Sequence, residues 1–480
     1  MIYSIDKNSL LKFFATLSLT SIFFTYLISI DSITIGLIFL LFMFLSLYFI
    51  ATKKLILFEP FTLFSMYFYT VVMGSFYLYS SNFEHSIFIN YQSFSMNLME
   101  LLNISLMYII VSYVFAYLGY KTFKKEFEPS IDLDNDGVSI QIVNLIIPIF
   151  MGIALLNFIY NIIVLGGGSF SNYMSQVSSA DTMLKETGGT TVGYLFGYMA
   201  GYLWLYKLLK MNMKISLLFL ILVLITILMK ASTGRILGTL AYALSYMVIY
   251  YFVKIKIESQ QNKKYFIILF SLLAIGVFFY FFRLASSIAA IGGMKDDFLS
   301  TILEFLSIDL IMYYIADKGN IPNIPILMKI IDAWGGDSTP FLYGESLFTW
   351  VYGILPSGLR PEGYQTSVIV KEVWYSHAPG GNLPPTGMGE MFANFWYFGA
   401  VFGMYLFGVL AAFFYNLLHK FNNFWYLVMY ANIVVGFIML YPKGEFDNLT
   451  LWHIMPIGFT YILILFLTKV AQSSMKSRKD

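Results

Sequence analysis

ITIGLIFLLFMFLSLYFI, residues 33–50, contains no charged side chain in 18 consecutive positions. A helix rises about 1.5 Å per residue, so a run of about 20 apolar residues crosses a hydrocarbon core roughly 30 Å thick. Lipid offers no hydrogen bonds to the backbone, and a single apolar run of this length satisfies its own only as a helix. The stretch therefore predicts a membrane-spanning helix.

Similar runs recur along the whole chain of 480 residues, which is 59% hydrophobic and 12% charged and has a mean hydropathy of +0.73. We therefore predict an all-α polytopic membrane protein with about 12 transmembrane helices. The predicted spans are 9–29, 33–50, 58–80, 96–120, 141–165, 191–210, 214–230, 235–253, 265–283, 391–417, 423–441 and 449–468.

The basic residues predict the orientation of these spans. Most of the 29 lysines and arginines fall in both tails and in every second short loop. Since such loops remain on the cytoplasmic side, both termini are predicted to be cytoplasmic. The chain then divides into helices 1–9 (1–283), a large extracytoplasmic loop (284–390), and helices 10–12 with the tail (391–480). Residues 298–316 are apolar but contain two acids, so we expect an interfacial or re-entrant helix there.

Composition excludes several classes of function. A net charge of +2 is too small to indicate nucleic-acid binding. The absence of cysteine excludes disulfides, thiolate nucleophiles and cysteine-ligated zinc. The four histidines form no metal-binding pattern, and the chain shows no phosphate-binding loop. We therefore predict neither a metal site nor a cofactor.

The large loop and its exit carry most of the polar chemistry. The sequence runs Tyr343-Gly344-Glu345-Ser346, then Leu355 to Pro361 with Arg360, then Pro384-Pro385-Thr386-Gly387-Met388-Gly389-Glu390. Glycines follow at positions 399, 403 and 408 and suggest close helix packing. Proline, glycine and an acid at a helix start also suit simple capping. The alternative role for Glu390 is therefore that of a favourable carboxylate in the first turn of a helix.

This order of segments resembles the Wzy-type polymerases of bacterial O-antigen and capsule repeat units. The resemblance covers residues 343–408, and the span count and late outward loop agree with it. Ser357-Gly358-Leu359 separates Pro356 from Arg360, which departs from the family's pattern. The resemblance implies polymerisation of undecaprenyl-diphosphate-linked repeat units by glycosyl transfer outside the bacterial cytoplasmic (inner) membrane. It also implies membrane lipid, a chain-length regulator and a flippase as partners.

That chemistry assigns expectations to individual residues. Cations would stabilise the leaving diphosphate, and a carboxylate would accept the proton of the attacking sugar hydroxyl. The candidate cations are Arg235, Arg283, Arg360 and Lys443, although Arg235, Arg283 and Lys443 also suit anchoring to lipid headgroups. The candidate carboxylates are Glu390, Glu345 and Asp337. The candidate substrate-binding residues are His377, Trp374 and Tyr375, and the alternative for the two aromatic residues is packing within the loop.

Three other functions compete with this one. A lipid-linked oligosaccharide flippase or other transporter would place polar groups near the middle of the membrane, where this chain has few. An O-antigen ligase would share the donor and use a different acceptor. A non-enzymatic scaffold would leave the clustered outward Arg and Glu without a role.

Overall fold

The computed structural model describes residues 33–52, 56–84, 86–90, 92–126, 137–169, 193–214, 216–231, 236–255, 323–349, 365–374, 383–446 and 454–477, with the single residues 131, 133, 271 and 376. Over this part of the chain the structure is 79% helix and contains no β-strand. The predicted all-α class is therefore confirmed.

The α-helices of the described part follow one another in this order: α1 (Ile33–Ala51), α2 (Pro60–Ser80), α3 (Ile87–Asn90), α4 (Leu98–Phe123), α5 (Ile140–Gly166), α6 (Gly193–Lys210), α7 (Leu217–Ala231), α8 (Ile236–Tyr250), α9 (Ile324–Ala333), α10 (Thr366–Trp374), α11 (Gly387–Phe395), α12 (Met404–Phe421), α13 (Phe424–Ile433) and α14 (Met455–Ser477). A 3₁₀ turn spans Glu345–Phe348, and π-helical turns span Tyr251–Ile255, Gly399–Gly403 and Val434–Ile438.

Six helical segments of the described part are long and apolar enough to cross a membrane: Ile33–Ile50, Pro60–Ser80, Leu98–Phe123, Ile140–Val164, Gly399–Phe421 and Met455–Ser473. Shorter apolar helices cover Leu217–Met229, Ala241–Val253 and Phe424–Ile438. The predicted spans 9–29 and 265–283 and the helix expected at 298–316 lie almost entirely outside the described residues. The count of twelve spans remains a prediction.

Helices α4 and α12 make the closest long contact in the described bundle. A Cβ atom built on Gly408 would lie 2.0 Å from the carbonyl oxygen of Ala116, and one on Gly119 would lie 2.1 Å from that of Tyr405. Only a residue without a side chain allows the two backbones to approach this closely. The expectation that Gly408 is a packing contact is confirmed.

Helices α5 and α6 form the second extensive pair, and α6 contacts α7. Hydroxyl groups join this half of the bundle to α13. The Tyr202 hydroxyl lies 2.5 Å from the Ser245 hydroxyl and donates to Asn432 Oδ1 at 3.1 Å. Such hydrogen bonds stabilise helix association where water is excluded, because lipid cannot replace them.

One end of the bundle is held by a buried carboxylate. Glu59, which precedes α2, is 2% exposed. Its Oε1 atom accepts from the Tyr120 hydroxyl at 2.8 Å and from Lys124 Nζ at 2.7 Å. A buried charge needs this kind of paired, hydrogen-bonded environment to be tolerated. Glu59 thereby ties the start of α2 to the end of α4.

The opposite end joins segments that are far apart in sequence. The Asp332 carboxylate in α9 accepts from the backbone N–H groups of Ser95 and Met96 and from the Ser95 hydroxyl at 2.5 Å. Lys329, one turn earlier, donates to the carbonyl of Ser93 at 2.5 Å and pairs with Asp332 at 3.4 Å. The segment before α4 is therefore attached to α9.

The predicted span 391–417 differs from the observed structure. Helix α11 ends at Phe395, Trp396 has φ 54° and ψ −144°, and the apolar span begins only at Gly399. A Cβ atom on Gly399 would lie 2.2 Å from the carbonyl oxygen of Met391. The chain therefore turns back against α11 at Gly399, which the hydropathy pattern did not reveal. The packing roles expected for Gly399 and Gly403, which both contact Met391, are confirmed.

Gly408→Ala is expected to destabilise the bundle by about 1–3 kcal/mol, because the added methyl group overlaps the α4 backbone. The measurement is the thermal unfolding midpoint of detergent-solubilised protein. Gly152→Ala is the matched control, since a Cβ atom there meets nothing within 4 Å. Equal midpoints for the two variants would show that α4 and α12 do not pack in this way.

Candidate functional site

The candidate site lies where three segments meet at the start of α11. They are the 3₁₀ turn with its preceding residues (342–348), the N-terminal half of α11, and the turn 441–446. The Leu342 N–H donates to the carbonyl of Ala393 at 3.0 Å, and the Gly387 N–H donates to that of Tyr441 at 2.8 Å. Two of these segments carry the resemblance described above, and the third contains Lys443.

The local sequence places Glu390 in the first turn of α11. Thr386 is the N-cap residue, and its hydroxyl oxygen accepts from the Gly389 N–H at 2.8 Å. The expected capping role of this segment is confirmed. Thr386 has φ 69°, and Tyr343 has φ 46°, which are strained conformations for residues with side chains. Strain of this kind persists only where the surrounding structure requires it, often at functional sites.

The Glu390 carboxyl is 1% exposed and is surrounded by three donors. Its Oε1 atom accepts from the Ser346 hydroxyl at 3.0 Å. Its Oε2 atom accepts from the Tyr441 hydroxyl at 3.0 Å and from the Phe446 N–H at 3.1 Å. One side chain therefore holds the 3₁₀ turn, α11 and the turn 441–446 together.

Asn394 sets the direction of the hydrogen bond between Ser346 and Glu390. Its amide nitrogen donates to Ser346 Oγ at 2.6 Å and to the carbonyl of Glu390 at 2.8 Å, while its Oδ1 atom accepts from the Gly344 N–H at 2.8 Å. Because Ser346 Oγ accepts from Asn394, its own proton is directed to Glu390. The chain of hydrogen bonds therefore runs from Asn394 through Ser346 to the Glu390 carboxyl group.

Glycine permits the contact between α11 and the turn 441–446. A Cβ atom on Gly387 would lie 2.4 Å from the Tyr441 ring. That ring stacks on Phe407 of α12 with centroids 4.4 Å apart. The Tyr441 hydroxyl is thereby aimed at Glu390 by rigid packing on both sides of the ring.

A second carboxylate, Glu445, lies on the same turn. It accepts from the backbone N–H of Ser367 at 3.0 Å and from the Ser367 hydroxyl, at the start of α10. Both Glu445 and Lys443 are half-buried, in contrast to Glu390. The turn therefore carries an amino group (Lys443) and a carboxylate (Glu445), two residues apart in sequence, at the edge of the buried network.

Two pKa values in this site are displaced toward neutrality. Burial, followed by the charge of Glu445, raises the pKa of Glu390 to about 8, against the opposing effect of its three hydrogen bonds. Part of the Lys443 side chain is exposed, but its ammonium group is removed from water, and this desolvation lowers the pKa of Lys443 to about 7. Opposite displacements of an acid and a base within one site are typical of sites that transfer protons or bind charged substrates.

The other residues selected from sequence are placed differently. Glu345 and Asp337 are exposed. Trp374 is partly buried, its ring lying 5.7 Å from that of Trp334 and 5.8 Å from Lys329 Nζ. The indole is thus part of the packing around α9. Arg235, Arg283, Arg360, Tyr375 and His377 lie outside the described residues.

Sequence reasoning did not select Ser346, Asn394, Tyr441 or Glu445 as site residues. Asn394 lies one turn after Glu390 on the same helix, a spacing that the sequence displays. Tyr441 and Glu445 carried no such signal, because their contacts are with residues more than 50 positions away. Among the described residues, no group of three or more His, Cys, Asp or Glu is arranged to hold a metal ion.

Glu390→Gln is expected to remove a pH dependence of stability. The native chain keeps the Glu390 proton up to pH about 8, whereas the unfolded chain releases it near 4.5. Between these values the native state binds the extra proton, so the free energy of unfolding falls as pH rises, by up to about 1.4 kcal/mol per unit. Denaturant unfolding of both proteins from pH 5 to 9 measures the difference, and parallel curves would contradict the prediction.

Lys443→Met is expected to change stability in a different window and with the opposite sign. Native Lys443 loses its proton near pH 7 and the unfolded chain near 10.5, so the native state binds fewer protons between these values. The lysine therefore makes stability rise from pH 7 to 10.5. The same unfolding series, extended to pH 10.5, should lose this rise in the variant and retain it in the exposed-residue control Lys121→Met.

Comparison of the chain with protein-family models, with curated proteins and with solved structures found no match in any of the three. The resemblance to Wzy-type polymerases consequently rests on the motif order of residues 343–408.

Proposed function

We propose that this protein is a polysaccharide polymerase of the bacterial cytoplasmic membrane. It transfers a growing glycan from an undecaprenyl diphosphate carrier to a lipid-linked repeat unit by glycosyl transfer outside that membrane. The polymer made is an O-antigen or a capsule. Multi-pass helices fit this role, because both substrates carry lipid tails and must enter from the bilayer.

One observation carries the proposal more than any other. The two motif segments that resemble the polymerases, at 343–346 and 384–390, are brought into contact through Glu390 and Ser346. Tyr441 joins the turn 441–446, which also contains Lys443, to the same carboxyl group. A set of polar residues that converges from separate segments is what a site needs, and simple capping of one helix needs only Thr386.

The chemistry of the site supports transfer from a diphosphate. Cleavage of the glycosidic bond leaves negative charge on a diphosphate oxygen, which a nearby cation stabilises. Lys443, on the turn 441–446, is proposed to supply such a charge, and Arg235, Arg283 and Arg360 are proposed to complete the group. Arginine suits this role because its planar fork donates two parallel hydrogen bonds to phosphate oxygens.

The test is the size distribution of surface glycan in a strain that lacks this chain, resolved on a gel. The ladder is expected to collapse to single repeat units. The intact chain should restore it, whereas Arg360→Ala or Glu390→Ala should not. Glu372→Gln, at an exposed position in α10, is the matched control and should restore the ladder fully.

Two rival functions give different outcomes in the same strain. Repeat units trapped on the inner side of the membrane would indicate a flippase. Polymer of normal length that stays on its lipid carrier would indicate a ligase. An unchanged ladder would contradict all three functions. Equal amounts of each variant in the membrane fraction are required, so that a lost ladder reports lost activity.

A further inference from the structure

Three consecutive aromatic residues are exposed where α11 ends and the apolar segment Gly399–Phe421 begins. Trp396 is 51% exposed, Tyr397 43% and Phe398 61%, and we name this group the aromatic ridge. Trp396 has φ 54° and ψ −144°, a conformation that glycine adopts freely and a residue with a side chain adopts only under strain. The chain therefore keeps a strained backbone at the residue whose indole it presents at the surface.

The aromatic ridge continues into an exposed apolar face of α12. Phe402, Leu406 and Phe413 are 64%, 64% and 51% exposed, and with Phe398 they recur at intervals of four or seven residues. Side chains at these intervals lie on one side of a helix, and Gly408, on another side, faces α4. The segment is long and apolar enough to cross a membrane, so lipid is the occupant that this face fits.

The two ends of the α4–α12 pair differ in charge. The Tyr108 hydroxyl lies 3.5 Å from the Trp396 carbonyl oxygen near the starts of the two helices. Near their ends the Lys125 N–H donates to Asn416 Oδ1 at 2.9 Å, so the helices run parallel. Exposed lysines mark this second end: Lys121, Lys125 and Lys420. Lysine favours the cytoplasmic side of a membrane, whereas tryptophan and tyrosine favour its interfaces, so the aromatic ridge is predicted to lie on the outer side.

The buried network around Glu390 lies beside the aromatic ridge. Gly399, the residue after the ridge, packs against the carbonyl group of Met391, the residue after Glu390. The Tyr397 ring lies edge-on to the ring of Phe392, with centroids 5.2 Å apart. Both contacts place the middle of α11 next to the first residues of the apolar segment. The depth of the ridge in a membrane therefore also sets the depth of the network.

We propose that the aromatic ridge lies among the headgroups of the outer leaflet and holds the Glu390 network at the depth of the lipid phosphates. Tryptophan and tyrosine suit this layer, because each ring joins an apolar body to a polar N–H or O–H group. The layer is only about 5–7 Å thick on each side of the hydrocarbon core. The placement itself requires nothing but a bilayer. Its consequence for catalysis rests on the proposed function, because a lipid-linked substrate then presents its diphosphate to the network.

The absence of cysteine from the chain permits a direct measurement of depth. Full-length protein with a single spin-labelled cysteine is reconstituted into vesicles of phosphatidylethanolamine and phosphatidylglycerol. Collisions of the label with oxygen, which concentrates in hydrocarbon, and with a water-soluble nickel chelate report its depth. Phe398→Cys samples the ridge and Leu406→Cys the apolar face, both at exposed positions. Glu372→Cys, at an exposed position in α10, is the control for a label in water.

The label at Phe398→Cys is expected at the level of the lipid phosphates. The label at Leu406→Cys should lie up to about 12 Å deeper, since eight helical residues rise about 1.5 Å each. Glu345→Cys reports on the network, because Glu345 is exposed and precedes Ser346, which donates to Glu390. Its label should also fall within the headgroup layer. Unfolding midpoints close to that of the intact protein show that the labelled variants keep the fold.

Four results would overturn the proposal. Nickel collisions at Phe398→Cys as frequent as at Glu372→Cys would place the ridge in water, and oxygen collisions equal to those at Leu406→Cys would place it in hydrocarbon. A label at Phe398→Cys that neither reagent reaches would show that protein, such as a second copy of this chain, covers the ridge. A label at Glu345→Cys outside the headgroup layer would remove the network from that depth. The glycan ladder is not part of this measurement, so failure here leaves the proposed function standing.

Discussion

The close approach of α4 and α12 is the constraint on which the arrangement of the site depends. Gly119 and Gly408 bring the two backbones into contact, and side chains larger than hydrogen would separate them. The π-helical turn Gly399–Gly403 directly precedes α12. Its first residue, Gly399, packs against Met391 and the Tyr108 hydroxyl. The position of α11, and hence of Glu390, follows from how α12 lies on α4.

The bundle uses a buried carboxyl group at each end, in two different electrostatic environments. Glu59 is paired with the ammonium group of Lys124, so its charge is compensated. The groups that donate to Glu390 are all uncharged, and a second carboxylate acts on it electrostatically. Burial of an acid beside another acid favours the protonated form. The first arrangement suits a structural tie, and the second suits a site that handles protons.

The sequence predicted the helical class, the approximate bounds of several apolar helices and the capped start of the helix that contains Glu390. Apolar runs indicate membrane spans, because a helix needs about 20 apolar residues to cross the hydrocarbon core. Two features were beyond that kind of reasoning. The break in the helix at Trp396 lies inside an apolar stretch whose hydropathy predicts one continuous helix. The role of Trp374 in packing around Lys329 depends on α9, whose neighbours the linear order does not reveal.

By itself, the sequence determined a helical fold with apolar runs long enough to span a membrane, a capped helix beginning near Gly387 and a set of glycines at packing positions. These are local properties, set by hydropathy, capping chemistry and the absence of side chains. The tertiary structure decided which polar groups meet. Tyr441 reaches Glu390, and Ser367 reaches Glu445, across separations of 51 and 78 residues. Such contacts depend on how helices cross, which is a property of the packed bundle and of no single segment.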